Sequence, residues 1–340
     1  MREQPLASAT MGRVANQDSR TRVQSATPHR PRLWWHVLGY GLALWLISVA
    51  ALAITDNTTL VPSVIFLGSF LTPIAATVWL VERQQYTGAA PGGDPSELTP
   101  LLLVAGFIGA GVLGVAVSSI VESLIPTPST AVFYLGVAVI EETVKIAIVW
   151  WLARGFTSYH RRDGMVLGAC VGLGFAAFET AGYAFTALIQ EPDASADSLV
   201  TVIGTQATRA LLAPVGHGLW TALLAGALFA AARNSRLRVT WGVLGWWFVV
   251  VGLHFVWDEA RDVATALAQR ITGPTLGDLD AGPGAAARTL VVTGILQAVL
   301  LGLCALVGLW LARHEWIKGR ATVAGFPHGP DDGQPGRSEQ

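Results

Sequence analysis

Charge is scarce in this chain: Asp, Glu, Lys and Arg make up 13% of its 340 residues, where soluble domains carry roughly 25%. Too few charged side chains are present to clothe a water-facing globule, which removes the ordinary soluble classes. The formal net charge is −1 and no long basic run occurs, so a nucleic-acid partner is not expected. Cysteine is nearly missing. Cys170 and Cys304 both lie inside apolar segments, which excludes a disulfide framework and a paired-thiolate metal knuckle. Lysine is rarer than the basic total suggests, with Lys145 and Lys318 against twenty arginines. Internal repeats are also wanting, and a carrier built from two matching halves would show them.

Long hydrophobic runs take the place of charge. Hydrophobic residues reach 52% and the mean hydropathy is +0.50. Stretches of about 20 apolar residues run over 33–54, 61–81, 100–121, 131–153, 165–189, 209–231, 240–258 and 288–311. The fold class expected is therefore all-α: a polytopic membrane protein, a bundle of about eight transmembrane helices. The first span is too long for a cleaved leader and no small-residue site closes it, so the amino-terminal arm is expected to remain. Of the 22 basic residues, 17 fall in that arm, alternate loops and the carboxyl tail. By the positive-inside rule both termini are then cytoplasmic. Arg209, Arg261, Arg270 and Arg288 would occupy external loops or their boundaries. The organisation expected is a disordered cytoplasmic arm over 1–32, a transmembrane domain over 33–311 and a disordered cytoplasmic tail over 312–340. Glycines recur in the third and fifth spans (Gly106, Gly109, Gly111 and Gly114; Gly164, Gly168, Gly172 and Gly174), a pattern that lets helices approach closely.

The few charges that exist are misplaced for a simple membrane anchor. Glu141, Glu142 and Lys145, then Glu179, then His217, then His254 and Asp258 all lie within spans. A charged group at the bilayer centre costs about 2.5–3.5 kcal/mol on insertion scales, so such groups line a polar cavity or do chemistry. At about 1.5 Å rise per residue, all four helices place them at comparable depth in the outer half of the membrane. Spacing brings partners together. Lys145 is one turn from Glu141 and Glu142, and can neutralise one of them. Phe175, Glu179 and Tyr183 share a face, which lets the phenol donate to a carboxylate or to substrate. Asp258 is one turn from His254, where it can hold an imidazole tautomer or share a metal. Each feature alone has a structural explanation, such as interhelical hydrogen bonding by His217 or a Glu–Lys ion pair. Together, with only Lys145 as counter-charge, they make an expensive adhesive. A site that activates water for hydrolysis fits the set. A proton- or ion-coupled carrier, or a scaffold of the same fold without turnover, are the alternatives.

Four runs carry a resemblance. Glu141-Glu142-Thr143-Val144-Lys145, then Phe178-Glu179-Thr180-Ala181-Gly182-Tyr183, then His217, then His254-Phe255-Val256-Trp257-Asp258 resemble, in order, the EExxK, FExxxY, lone-His and HxxxD signatures of the PrsW family of intramembrane proteases. The resemblance covers about 100–260. Through it the chain is also similar to the CAAX prenyl protease group, in which a His stands where Glu179 is found. Thr180 replaces the Asn usual after that Glu. The resemblance implies Glu141 or Glu142 as general base on a water, with the other paired to Lys145. Glu179, His217, His254 and Asp258 would complete the centre, supported by Tyr183. The donor set could hold a zinc through Glu179, His217 and His254, or work without a metal on a Glu-activated water; the resemblance further implies a plasma-membrane location and site-1 cleavage of a single-pass, anti-sigma-factor-like protein.

Overall fold

The computed structural model describes residues 32–87, 96–126, 129–190, 196–273 and 283–324, and among these the regular structure is helical. Ten α-helices are formed: α1 Leu33–Thr55, α2 Val61–Thr87, α3 Pro100–Gly109, α4 Val115–Glu122, α5 Thr130–Ala153, α6 Arg161–Gln190, α7 Ala196–Leu212, α8 His217–Ala230, α9 Trp241–Thr272 and α10 Pro283–Ala324. Starts follow local chemistry. Thr99, Ser129 and Thr240 each cap a helix by accepting from the backbone N–H three residues on, satisfying a donor that the first turn leaves open.

Seven stretches are long and apolar enough to cross a membrane. The remaining expected span is α5, which has 24 residues and the length to cross. It falls short in composition because Glu141, Glu142 and Lys145 sit mid-helix. Sequence and structure differ at four places. The run 209–231 is not one helix: α7 stops at Leu212, and the Ala213–Gly216 turn intervenes before α8 begins at His217. Pro214 has no N–H to give and cannot continue the ladder. The third span is divided by a π-helical turn, Ala110–Gly114, between α3 and α4. Helix α9 runs to Thr272 instead of 258, because charge alone does not stop a helix and the first breaker is Gly273, at φ 86°. Helix α10 continues to Ala324, so the expected tail is helical over 312–324. The expected arm, apart from Arg32, and residues 325–340 lie outside the described residues.

Helix α6 forms the axis, buried on most sides, whereas α1 and α10 are largely exposed and show apolar residues such as Ile47 and Leu306 outward, as a lipid-facing surface requires. The glycine stripe sets how close α8 comes. A methyl on Gly164, Gly168 or Gly172 would collide with the carbonyls of Ala225, Thr221 and His217 respectively. Absence of side chains on that ridge is what seats the backbone of His217 against α6. On the side of the 154–160 loop, Glu97 accepts from Thr157 N at 2.7 Å, Thr157 Oγ1 at 2.8 Å and Ser158 N at 2.8 Å. Partial burial alone would raise its carboxyl, but these hydrogen bonds outweigh it and hold it below its ordinary value.

Candidate active site

Five helices bring their polar residues to one place. Glu141, Glu142 and Lys145 occupy one face of α5 and are buried. Lys145 Nζ lies 2.9 Å from Glu141 Oε2, 2.9 Å from Glu142 Oε1 and 2.8 Å from His217 Nδ1. Three N–H donors meet three acceptors, and the ammonium also sits 4.1 Å from the Phe175 ring centroid. The lysine expected to neutralise one glutamate contacts both, and its single charge balances one of them.

His217, first residue of α8, points its other nitrogen at α6: Nε2 is 3.0 Å from Glu179 Oε2. His254 on α9 spans two carboxylates, with Nδ1 3.0 Å from Glu142 Oε1 and Nε2 3.3 Å from Asp258 Oδ2. Trp220, fully buried, packs against both imidazoles at 5.4 Å and 5.0 Å between centroids. Tyr183 behaves otherwise than its spacing suggests. Its hydroxyl makes no hydrogen bond among the described residues, and its ring instead lies 4.0 Å beneath the Arg209 guanidinium.

Arg209 is the residue that sequence reasoning misplaced. Assigned to an external loop, it stands in the last turn of α7 with Nη2 2.6 Å from Glu179 Oε2. Lys145 is thus not the sole counter-charge. The signal was present in Pro214 and Gly216: a break there lets the chain before it re-enter the site.

Ligand geometry is what the arrangement offers next. Glu141, His217 and His254 present atoms that all lie within 4.8 Å of one another. Glu141 Oε2 is 3.9 Å from His217 Nδ1 and 3.8 Å from His254 Nε2, edges longer than the roughly 3.3 Å between ligands of a tetrahedral zinc with bonds of about 2 Å, so the three side chains would draw together to hold one. The second nitrogen of each imidazole rests on a carboxylate, Glu179 for His217 and Glu142 for His254, as metal-binding histidines usually require. The residues fit a zinc. Seating it requires the Lys145 ammonium to release Glu141 and His217. Glu179, expected among the ligands, is instead engaged by Arg209 and by the far side of His217. Glu141, Glu179, His217 and Asp258 line a cavity of about 760 Å³ that opens between α4, α5, α6, α7, α9 and α10.

The profile of the PrsW family intramembrane metalloproteases matches residues 95–275. The chain belongs to the PrsW family. It is accordingly an intramembrane peptidase and a multi-pass integral membrane protein. The match starts beside Glu97 and ends just past α9, taking in every helix that contributes to the cavity except α10. Neither a curated protein nor a solved structure matches the chain.

Proposed function

We propose that the cavity is the catalytic centre and that it cuts a single-pass membrane-anchored protein, of anti-sigma-factor-like class, near the outer face of the cytoplasmic membrane. One observation carries this: carboxylates and imidazoles from α5, α6, α8 and α9 converge on a common point that opens into a cavity large enough for an extended peptide. Glu141, His217 through Nδ1 and His254 through Nε2 would hold a zinc, which when bound supplies Lewis acidity for water and the scissile carbonyl. The chain's own residues do the rest. Glu142 and Glu179 fix the two imidazoles so that the correct nitrogen of each faces the centre. Arg209 anchors Glu179, and Tyr183 supports Arg209. Asp258, lining the cavity with its carboxylate 3.3 Å from His254 Nε2, accepts the proton of the attacking water. That moves the base from Glu141 or Glu142, which the Lys145 ammonium holds, to a carboxylate that lines the cavity beside His254. Lys145 keeps Glu142 neutralised in the low-dielectric interior.

The test is cleavage of a single-pass reporter in proteoliposomes, read by mass spectrometry. E141Q, H217A, H254A and D258N are each expected to abolish cleavage while inserting normally. Turnover at the wild-type rate by all four would dismiss the assignment.

A further inference from the structure

The cavity has a wall that the chemistry above leaves idle. Helix α4 sends Ser118 and Glu122, one helical turn apart, into it. Ser118 is 1% exposed, and neither its Oγ nor Glu122 Oε1 has a hydrogen-bond partner among the described residues. Other helical hydroxyls of this chain satisfy themselves. Ser48 Oγ donates to the Leu44 carbonyl at 2.9 Å, Thr77 Oγ1 to Pro73 at 2.9 Å and Thr143 Oγ1 to Val139 at 2.6 Å. Ser118 forgoes that back-bond. An orphan hydroxyl and an orphan carboxylate oxygen, buried together, are costly unless a ligand enters to pair them. The π-turn at Ala110–Gly114 lies directly upstream of this wall. Its extra residue rotates everything after it by roughly 100°, which turns the Ser118–Glu122 stripe inward.

Charge selects the ligand. The lining holds five carboxylates against two guanidinium groups, and Glu179 already engages one of these, Arg209. Val115 on α4 and Val137 on α5 also line the cavity, and against such apolar side chains an aliphatic stem can lie while a cationic head reaches the polar pair. We propose that the Ser118–Glu122 face is a subsite for a basic side chain of the substrate, a lysine or arginine, whose head donates to Ser118 Oγ and the Glu122 carboxylate. This rests on the peptidase reading of the cavity.

The probe is a set of fluorescent single-pass Leu/Ala helices, each carrying one Lys at a successive position along two helical turns, beside twins with norleucine at the same position. Binding to the full chain in nanodiscs is measured for wild type, E122Q and S118A, with elution and thermal unfolding as fold controls. At one register or more, the Lys peptide is expected to bind wild type about tenfold or more tightly than its twin. That ratio should fall close to one in E122Q and shrink in S118A. A ratio near one at every register in wild type, or an unchanged ratio in both variants, overturns the subsite. Digests of the same peptides separate the two claims. Preference without cleavage counts against the proposed substrate class and leaves the subsite standing; cleavage without preference removes the subsite alone.

Discussion

Single residues divide the labour by what holds them. Arg209 touches neither the ligand atoms nor the proposed water, yet it sets where Glu179 stands, and Glu179 sets the ring of His217. Losing such an outer partner typically costs about 10–100-fold in metal affinity or activity. R209Q is therefore expected to lower kcat by that amount with KM little changed, and R209K, which keeps charge but not the planar fork, to recover part of it. Full recovery in R209K would mean that Arg209 acts only through its charge, and equal losses in both variants that charge alone does not hold Glu179. The contrast between residues also shows what a sequence displays. Glu141, Glu142 and Lys145, or His254 and Asp258, are legible because their partners are one turn away on the same helix. The lysine's third bond, to His217 seventy-two residues on, depends on how α8 docks on α5. Ser118 and Glu122 were invisible for a similar reason, since only the π-turn upstream aims them inward.

At the scale of elements, hydropathy gave the spans and missed their interruptions. An average over about 20 residues cannot register a four-residue turn such as Ala213–Gly216, and that turn is what makes His217 the start of a helix. The glycine ridge of α6 is testable here. G172A places a methyl against the His217 carbonyl, and overpacking of this kind typically costs about 1–3 kcal/mol. Lower thermal stability together with reduced cleavage is the expected outcome. G245A, with open space around it, should be neutral or slightly stabilising. Were the two variants to melt alike, close packing of α6 on α8 would not be what fixes His217. The Glu97 clamp adds a pH dependence. Its carboxyl is held below the ordinary 4.5, so its contribution is present above that value and disappears as pH falls through the lowered one. Hydrogen exchange at the Thr157 and Ser158 amides should stay slow at neutral pH and quicken only in acid below 4.5. Exchange that is equally fast at neutral pH in wild type and E97Q would show the clamp to be unformed.

As a whole molecule, the protein is a polar centre carried by a lipid-facing shell, and its orientation decides which side of the membrane the cavity serves. From the distribution of arginine we propose that both termini lie in the cytoplasm. An impermeant maleimide added to intact cells should then label T59C, in the exposed α1–α2 turn, and spare Q340C. The reverse pattern would move cleavage to the inner face. The claim on which everything else depends is that Glu141, His217 and His254 together hold a metal. It is tested most directly by the zinc content of detergent-purified protein, washed with chelator, resupplied with zinc and desalted, for wild type beside the H217A/H254A double variant. About one zinc per chain in wild type and none in the variant is the predicted result. Wild type that takes up no zinc, or a variant that binds as much, would contradict it.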